Sequence, residues 1–137
     1  MKTLKINHWA ILVIVVLGQV IPALWYGMFA ETWMRLNNLT EADVMSGGST
    51  PYISSVITAI VFAYVLAWLF KRMNVGSAAD GAKTAFIMAV SFSLLMHMTV
   101  NFFSMRPYGL AWVDGGADLV VWTLAGTILG GWRKYEN

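Results

Sequence analysis

Four apolar runs of about twenty residues each constrain this chain more than any other feature. They cover 8–29, 52–70, 83–103 and 111–132, and each is closed by charges or turn residues. Glu31 and Pro51 bound the first link. Lys71, Arg72 and Lys83 bound the second, and Arg106 to Gly109 the third. A helix needs about 20 mostly apolar residues to cross the ~30 Å hydrocarbon layer. Strands of a membrane barrel would instead alternate polar and apolar residues over about 10 positions. Composition agrees: 58% of residues are hydrophobic and 12% charged, about half the charge of an ordinary soluble domain. A soluble fold of 137 residues has too little interior to hide that much apolar surface. The expected architecture is all-α, a polytopic membrane protein forming one four-helix transmembrane domain across 1–137.

Lys2 and Lys5 ahead of Ile11 to Leu17 imitate a secretory leader, but the run is read as the first transmembrane helix. Orientation follows from the basic residues. Lys2, Lys5, Lys71, Arg72, Lys83, Arg133 and Lys134 fall on one side of this topology, Arg35 and Arg106 on the other. By the positive-inside tendency both termini lie in the cytoplasm, and the expected location is a bacterial inner membrane. The net charge of +2 is thus spread by topology and forms no nucleic-acid patch. The outer link, 31–50, is expected to hold a short interfacial helix, because Phe29, Trp33 and Leu36 recur at helical spacing. Thr40 to Asp43 has the form of a capping box, and Pro51 suits the first turn of the next helix.

Lipid offers no hydrophobic drive between helices, so small residues and polar contacts must join them. Ser55, Ala59, Ala63 and Ala67 form such a ridge in the second run. Ala85 and Ala89 form one in the third, and Gly126 and Gly130 in the fourth. The third ridge continues through Ser93 into His97 and Asn101, and the fourth begins with Asp114 and Asp118. Folded about the turn at Arg106 to Gly109, the pairs expected to fall level are Asn101 with Asp114, His97 with Asp118, Ala89 with Gly126, and Ala85 with Gly130.

At ~1.5 Å rise per residue, Asp118 and His97 would lie roughly 10 and 9 Å below the outer surface. An ionised carboxylate there is costly and should face protein or water. Asp114 has a structural alternative as a first-turn helix cap, and Asp118 one as an ion pair with His97 or Arg106. Tyr26, and at the same outer level Glu31, Arg35 and Arg106, complete the candidate pocket; Gln19 is expected to bind a neighbouring helix, and Pro22 to kink the first one. Trp25, Trp33, Trp112 and Trp132 fit an interfacial belt. With no cysteine, and with His8 and His97 at opposite ends, no metal site or cofactor is expected.

Leu24-Trp25-Tyr26, Trp33, and the stretch Leu36 to Asp43 resemble the N-terminal signature of the bacterial membrane-protein family known as domain of unknown function 1761. Asn101, Arg106-Pro107, Asp114-Gly115-Gly116 and the stretch Gly126 to Gly130 extend the likeness over nearly the whole chain. The resemblance implies a four-helix integral membrane protein and names no activity. It carries over Asp114 and Asn101. Asn38 stands where glycine is common in the family, and Ala117-Asp118 where an aromatic–histidine pair is frequent.

Two functions are expected in order. The first is an inner-membrane protein, homo-oligomeric, whose outward-facing pocket of Asp114, Asp118, His97, Asn101 and Tyr26 binds or passes a small solute, ion or proton. The second is an accessory subunit docking on a larger membrane complex through the Ser55 to Ala67 ridge and segment 31–50. An enzyme using the carboxylates and His97 for acid–base chemistry comes third. No His-Glu-x-x-His motif, nucleophile elbow or phosphate loop occurs.

Overall fold

A computed structural model of the protein describes residues 3–136; Lys2 lies outside the described residues. Four long helical runs account for most of the chain. They are α1 (His8–Asn37), α3 (Thr50–Met73), the run Ala78–Phe103 and α6 (Gly109–Gly131). The third run consists of α4 (Ala78–Ala89), a π-helical turn over Val90–Leu94, and α5 (Leu95–Phe103). A five-residue helix, α2 (Glu41–Met45), lies between α1 and α3. The first three runs are long and apolar enough to cross a membrane.

Local chemistry sets the ends. Asn7 caps α1, its side-chain oxygen accepting from the backbone N–H groups of Trp9 and Ala10. The expected break after Phe29 does not occur. Trp33 and Leu36 belong to α1, which continues to Asn37, so the helical spacing of those residues marks one long helix and not a separate interfacial one. The stop comes from Asn38, whose φ of 55° puts it in the left-handed region. Glycine adopts that conformation without steric penalty. Asn38→Gly is therefore expected to leave thermal stability unchanged or slightly raised. Asn38→Ala should cost about 1 kcal/mol in equilibrium unfolding. Equal stability of the two variants would show that this backbone angle carries no strain.

Thr40 and Asp43 form the expected reciprocal box. The Thr40 amide donates to Asp43 Oδ2 at 2.8 Å, and the Asp43 amide to Thr40 Oγ1 at 3.2 Å. Those bonds hold the exposed Asp43 carboxyl below the usual carboxylate range. Pro51 sits in the first turn of α3, as its sequence position suggests.

The packing centres on α6. Its Gly126 and Gly130 are buried against α4: a Cβ on Gly81 would run into the carbonyl oxygen of Gly126, and a Cβ on Gly126 into that of Gly81. Backbones this close are what small residues permit. The contacts are Gly126 with Ala85 and Gly81, and Gly130 with Gly81 and Ser77. The register is one turn away from the expected pairs Ala89–Gly126 and Ala85–Gly130. Two features move it: α6 begins at Gly109, two residues earlier than its hydropathy suggests, and the π turn absorbs an extra residue on the opposite strand of the hairpin.

On the other flank, α1 packs on α3. Gly18 lies against Ala59, and Ala63 and Ala67 are buried. The Ser55–Ala67 ridge is thus used inside the chain, which removes it as a free docking face. Gln19 exchanges bonds with Ser55, donating to its carbonyl at 3.5 Å and accepting from its hydroxyl at 3.2 Å. At the end opposite the Arg106 turn, strand β1 (Thr3–Lys5) pairs antiparallel with β2 (Lys134–Glu136), Lys5 opposite Lys134. Asn7 Nδ2 donates to the Trp132 carbonyl at 3.2 Å beside this ribbon. Such a two-stranded ribbon is marginal alone and is held by the helices that feed it.

Candidate functional site

The two carboxylates that stand out in the sequence take separate partners. Asp114 lies in the second turn of α6, beyond the reach of the helix's free N–H groups, so it is not a cap. Its Oδ1 accepts from the Tyr26 hydroxyl at 2.6 Å and from Trp33 Nε1 at 3.2 Å. Trp25 crosses beside them. Its Nε1 donates to the Val113 carbonyl at 2.8 Å, and its ring fills the space over Gly116, where an added Cβ would come within 2.8 Å. Gly115 is occupied in the same way by Leu94 of the π turn. Trp25 and Trp33 therefore face inward, contrary to the interfacial role their positions suggest; Trp112 and Trp132 are about half exposed. The two motifs, Leu24-Trp25-Tyr26 and Asp114-Gly115-Gly116, are the two sides of one contact.

Asp118 is one turn deeper. Its Oδ2 accepts a short hydrogen bond from the Ser93 hydroxyl. The His97 Nδ1 atom sits 3.0 Å from the Ser93 carbonyl oxygen and 3.3 Å from its hydroxyl oxygen. A carbonyl only accepts, so Nδ1 carries the proton in that contact. The expected His97–Asp118 pair is therefore bridged by Ser93, which is buried in the π turn. This is the same one-turn register difference seen between the glycines. Ser93 stands in the small-residue ridge of the sequence, where it reads as packing; its position four residues before His97 is the signal that links it to the acidic side.

The other expected pocket residues disperse. Asn101 is 4% exposed, and its Nδ2 has no hydrogen-bond partner among the described residues; its backbone carbonyl accepts from the Arg106 amide at 2.8 Å. Arg106 donates to Asn37 Oδ1 at 2.7 Å, not to Asp118. Glu31 and Arg35 are exposed on the last turns of α1. Among the described residues no three Asp, Glu, His or Cys side chains converge as metal ligands would.

A cavity of about 430 Å³ opens between α1, α3 and α6 on the side of Asp118 away from His97's helix. Asp118 lines it, with Ser54, Ser55 and Thr58 from α3 and Gly18 and Pro22 from α1. Pro22 has no N–H to give the Gly18 carbonyl, so a backbone acceptor is freed at the cavity wall. Ser93 occupies Oδ2 of Asp118, and no described side chain bonds Oδ1. A second cavity, about 470 Å³, runs between α3 and the third helical run. A third, about 360 Å³, lies between Tyr26, Trp33 and the start of α3.

No solved structure and no curated protein matches the chain. A family model does, over residues 9–130, and this span holds both halves of the Tyr26–Trp33–Asp114 contact and the Ser93–Asp118 bond. By that match, the chain belongs to the family described as protein of unknown function (DUF1761).

Proposed function

We propose that this is an inner-membrane protein crossing the bilayer four times, and that the cavity between α1, α3 and α6 binds or passes a small solute or ion, with Asp118 as its main polar contact. The carrying observation is that Asp118 presents a carboxylate oxygen, unclaimed by any described side chain, to an intramembrane cavity. A charge kept at that depth without a cation beside it is costly. Ser93 and the imidazole behind it moderate the cost from one side and leave the cavity side open.

The fourth crossing is α6. Its 23 residues span about 35 Å, enough for the hydrocarbon layer. Asp114, Asp118 and six glycines lower its hydropathy, but these face other helices. Pairing of β1 with β2 brings the two chain ends together, as an even number of crossings requires. Lys5, Lys71, Arg133 and Lys134 gather at that end, which supports cytoplasmic termini. The abundance of outward-facing Leu, Ile, Val and Phe on α1, α3 and α5 suits contact with lipid.

The test is reconstitution in liposomes. Wild-type protein should dissipate an imposed proton gradient or take up tetramethylammonium, and Asp118→Asn should lower that rate at least about tenfold. An unchanged rate in the variant, or a wild type that neither passes nor binds these cations, overturns the reading. A subunit role without transport is the alternative. It would be favoured by recovery of a stoichiometric larger partner in mild detergent, and it would have to use a surface other than the Ser55–Ala67 ridge.

A further inference from the structure

The cavity holding Asp118 does not end blindly. Thr58, Phe62 and Trp122 line both it and the second cavity, so the two adjoin at these residues. Phe62 and Trp122 stand at that junction beside Thr58, their rings 5.1 Å between centroids. On the inner side the second cavity is an open apolar groove lined by Val61, Val65 and Leu69 of α3 and by Met88 and Phe92 of the third run, with Val61, Val65 and Phe92 about half exposed or more. From Ile57 to Leu69 it follows α3 for about 18 Å. On the outer side stand a carboxylate and the hydroxyls of Ser54, Ser55 and Thr58.

The geometry points to an amphiphile as the ligand, with a cationic head at Asp118 and a hydrocarbon tail in the groove along α3. This inference rests on the proposed pocket and names the chemical class it takes. Three features select that class. Asp118 is the one ionisable side chain on either cavity wall among the described residues, so an anionic head is repelled and a cation is matched. The indole of Trp122 lies at the junction, where a quaternary ammonium can rest on an aromatic face. The groove offers a tail only apolar contact, apart from Thr58 at its head end. A neutral lipid would leave the Asp118 carboxylate without a countercharge.

The probe is a dodecyltrimethylammonium carrying a photoreactive diazirine at the tail end, added to the wild-type protein in glyco-diosgenin micelles, which supply neither an ammonium head nor an alkyl tail, with labelled residues mapped by mass spectrometry. Saturable labelling within 57–69, at Met88 or at Phe92 is expected. Excess unlabelled dodecyltrimethylammonium should displace it, and an alkyl sulfate with the same diazirine tail should show no saturable labelling there. Asp118→Asn should raise the half-saturating concentration about tenfold or more. Val65→Trp, which fills the groove without touching Asp118, should abolish tail labelling and keeps the test decisive if the Asp118 variant does not fold. Labelling that rises linearly with probe, or that is equal for cation and anion, overturns the inference. Equilibrium dialysis of tetramethylammonium separates the two levels. If the short cation binds in an Asp118-dependent way while the long one does not label the groove, the pocket stands and the amphiphile falls. If neither binds, both fall.

Discussion

Gly126→Leu is expected to drive α6 off α4 and to destabilise the protein by more than about 3 kcal/mol, beyond the usual range for overpacked cores. The reason is the identity of the obstacle. A Cβ at position 126 meets the Gly81 carbonyl and the Ala85 methyl, and the reciprocal Cβ at position 81 meets the Gly126 carbonyl. Backbone atoms within two packed helices cannot rotate aside as a side chain can, so the whole helix pair must separate. Unfolding in mixed micelles, followed by circular dichroism or by thermal loss of the monodisperse species, measures the effect. Gly27→Ala is the control. Nothing lies within 4 Å of a Cβ there, and the change should be neutral or stabilising by up to ~1 kcal/mol, as for any helical glycine. A Gly126 variant as stable as that control would mean that α4 and α6 do not approach at these residues.

The second large effect belongs to Asp114. Removing its carboxylate strands two half-buried donors, the Tyr26 hydroxyl and the Trp33 indole N–H. Each unpaired donor costs about 1–3 kcal/mol, so Asp114→Ala should lose roughly 3 kcal/mol. Tyr26→Phe removes a donor and leaves Trp33 on the carboxylate, and should cost only about 1 kcal/mol. The pair should couple: the double variant is expected to be at least about 1 kcal/mol more stable than the sum of the single losses implies. Asp114→Asn keeps an acceptor in place and should recover much of the loss. Strict additivity would show that the Tyr26–Asp114 bond contributes nothing to holding α1 on α6. This result also bears on role, since a carboxylate committed to two donors is a fastener between helices. Asp118 differs: it lines a cavity, and no described side chain bonds its Oδ1.

The distinction between the two aspartates is invisible in the sequence. Both lie one turn apart at the head of the same apolar run, and their first partners come from residues far away in the chain. Tyr26 and Trp33 reach Asp114 because α1 runs unbroken to Asn37. The helical spacing of Phe29, Trp33 and Leu36 signals that continuity, but spacing alone does not say whether such a stretch belongs to the preceding helix or lies in the interface. Likewise Asn38 reads as a departure from a glycine until its left-handed backbone is seen. The capping box at Thr40–Asp43 and the place of Pro51 are fully legible, because both are bonds or geometries within a single turn.

By itself, the sequence determined the helical class, the four apolar runs, the side on which the small residues lie and the level at which polar ones collect. These follow from local period and composition, which lipid enforces residue by residue. The tertiary structure decided the register. Helix ends and one π turn shift α4 and α5 against α6 by a turn, and that shift gives Asp118 to Ser93, brings Gly126 to Gly81 and leaves His97 in support. Register depends on where two helices begin and end relative to each other, and on an inserted residue that leaves hydropathy unchanged; no window along one chain segment contains that information.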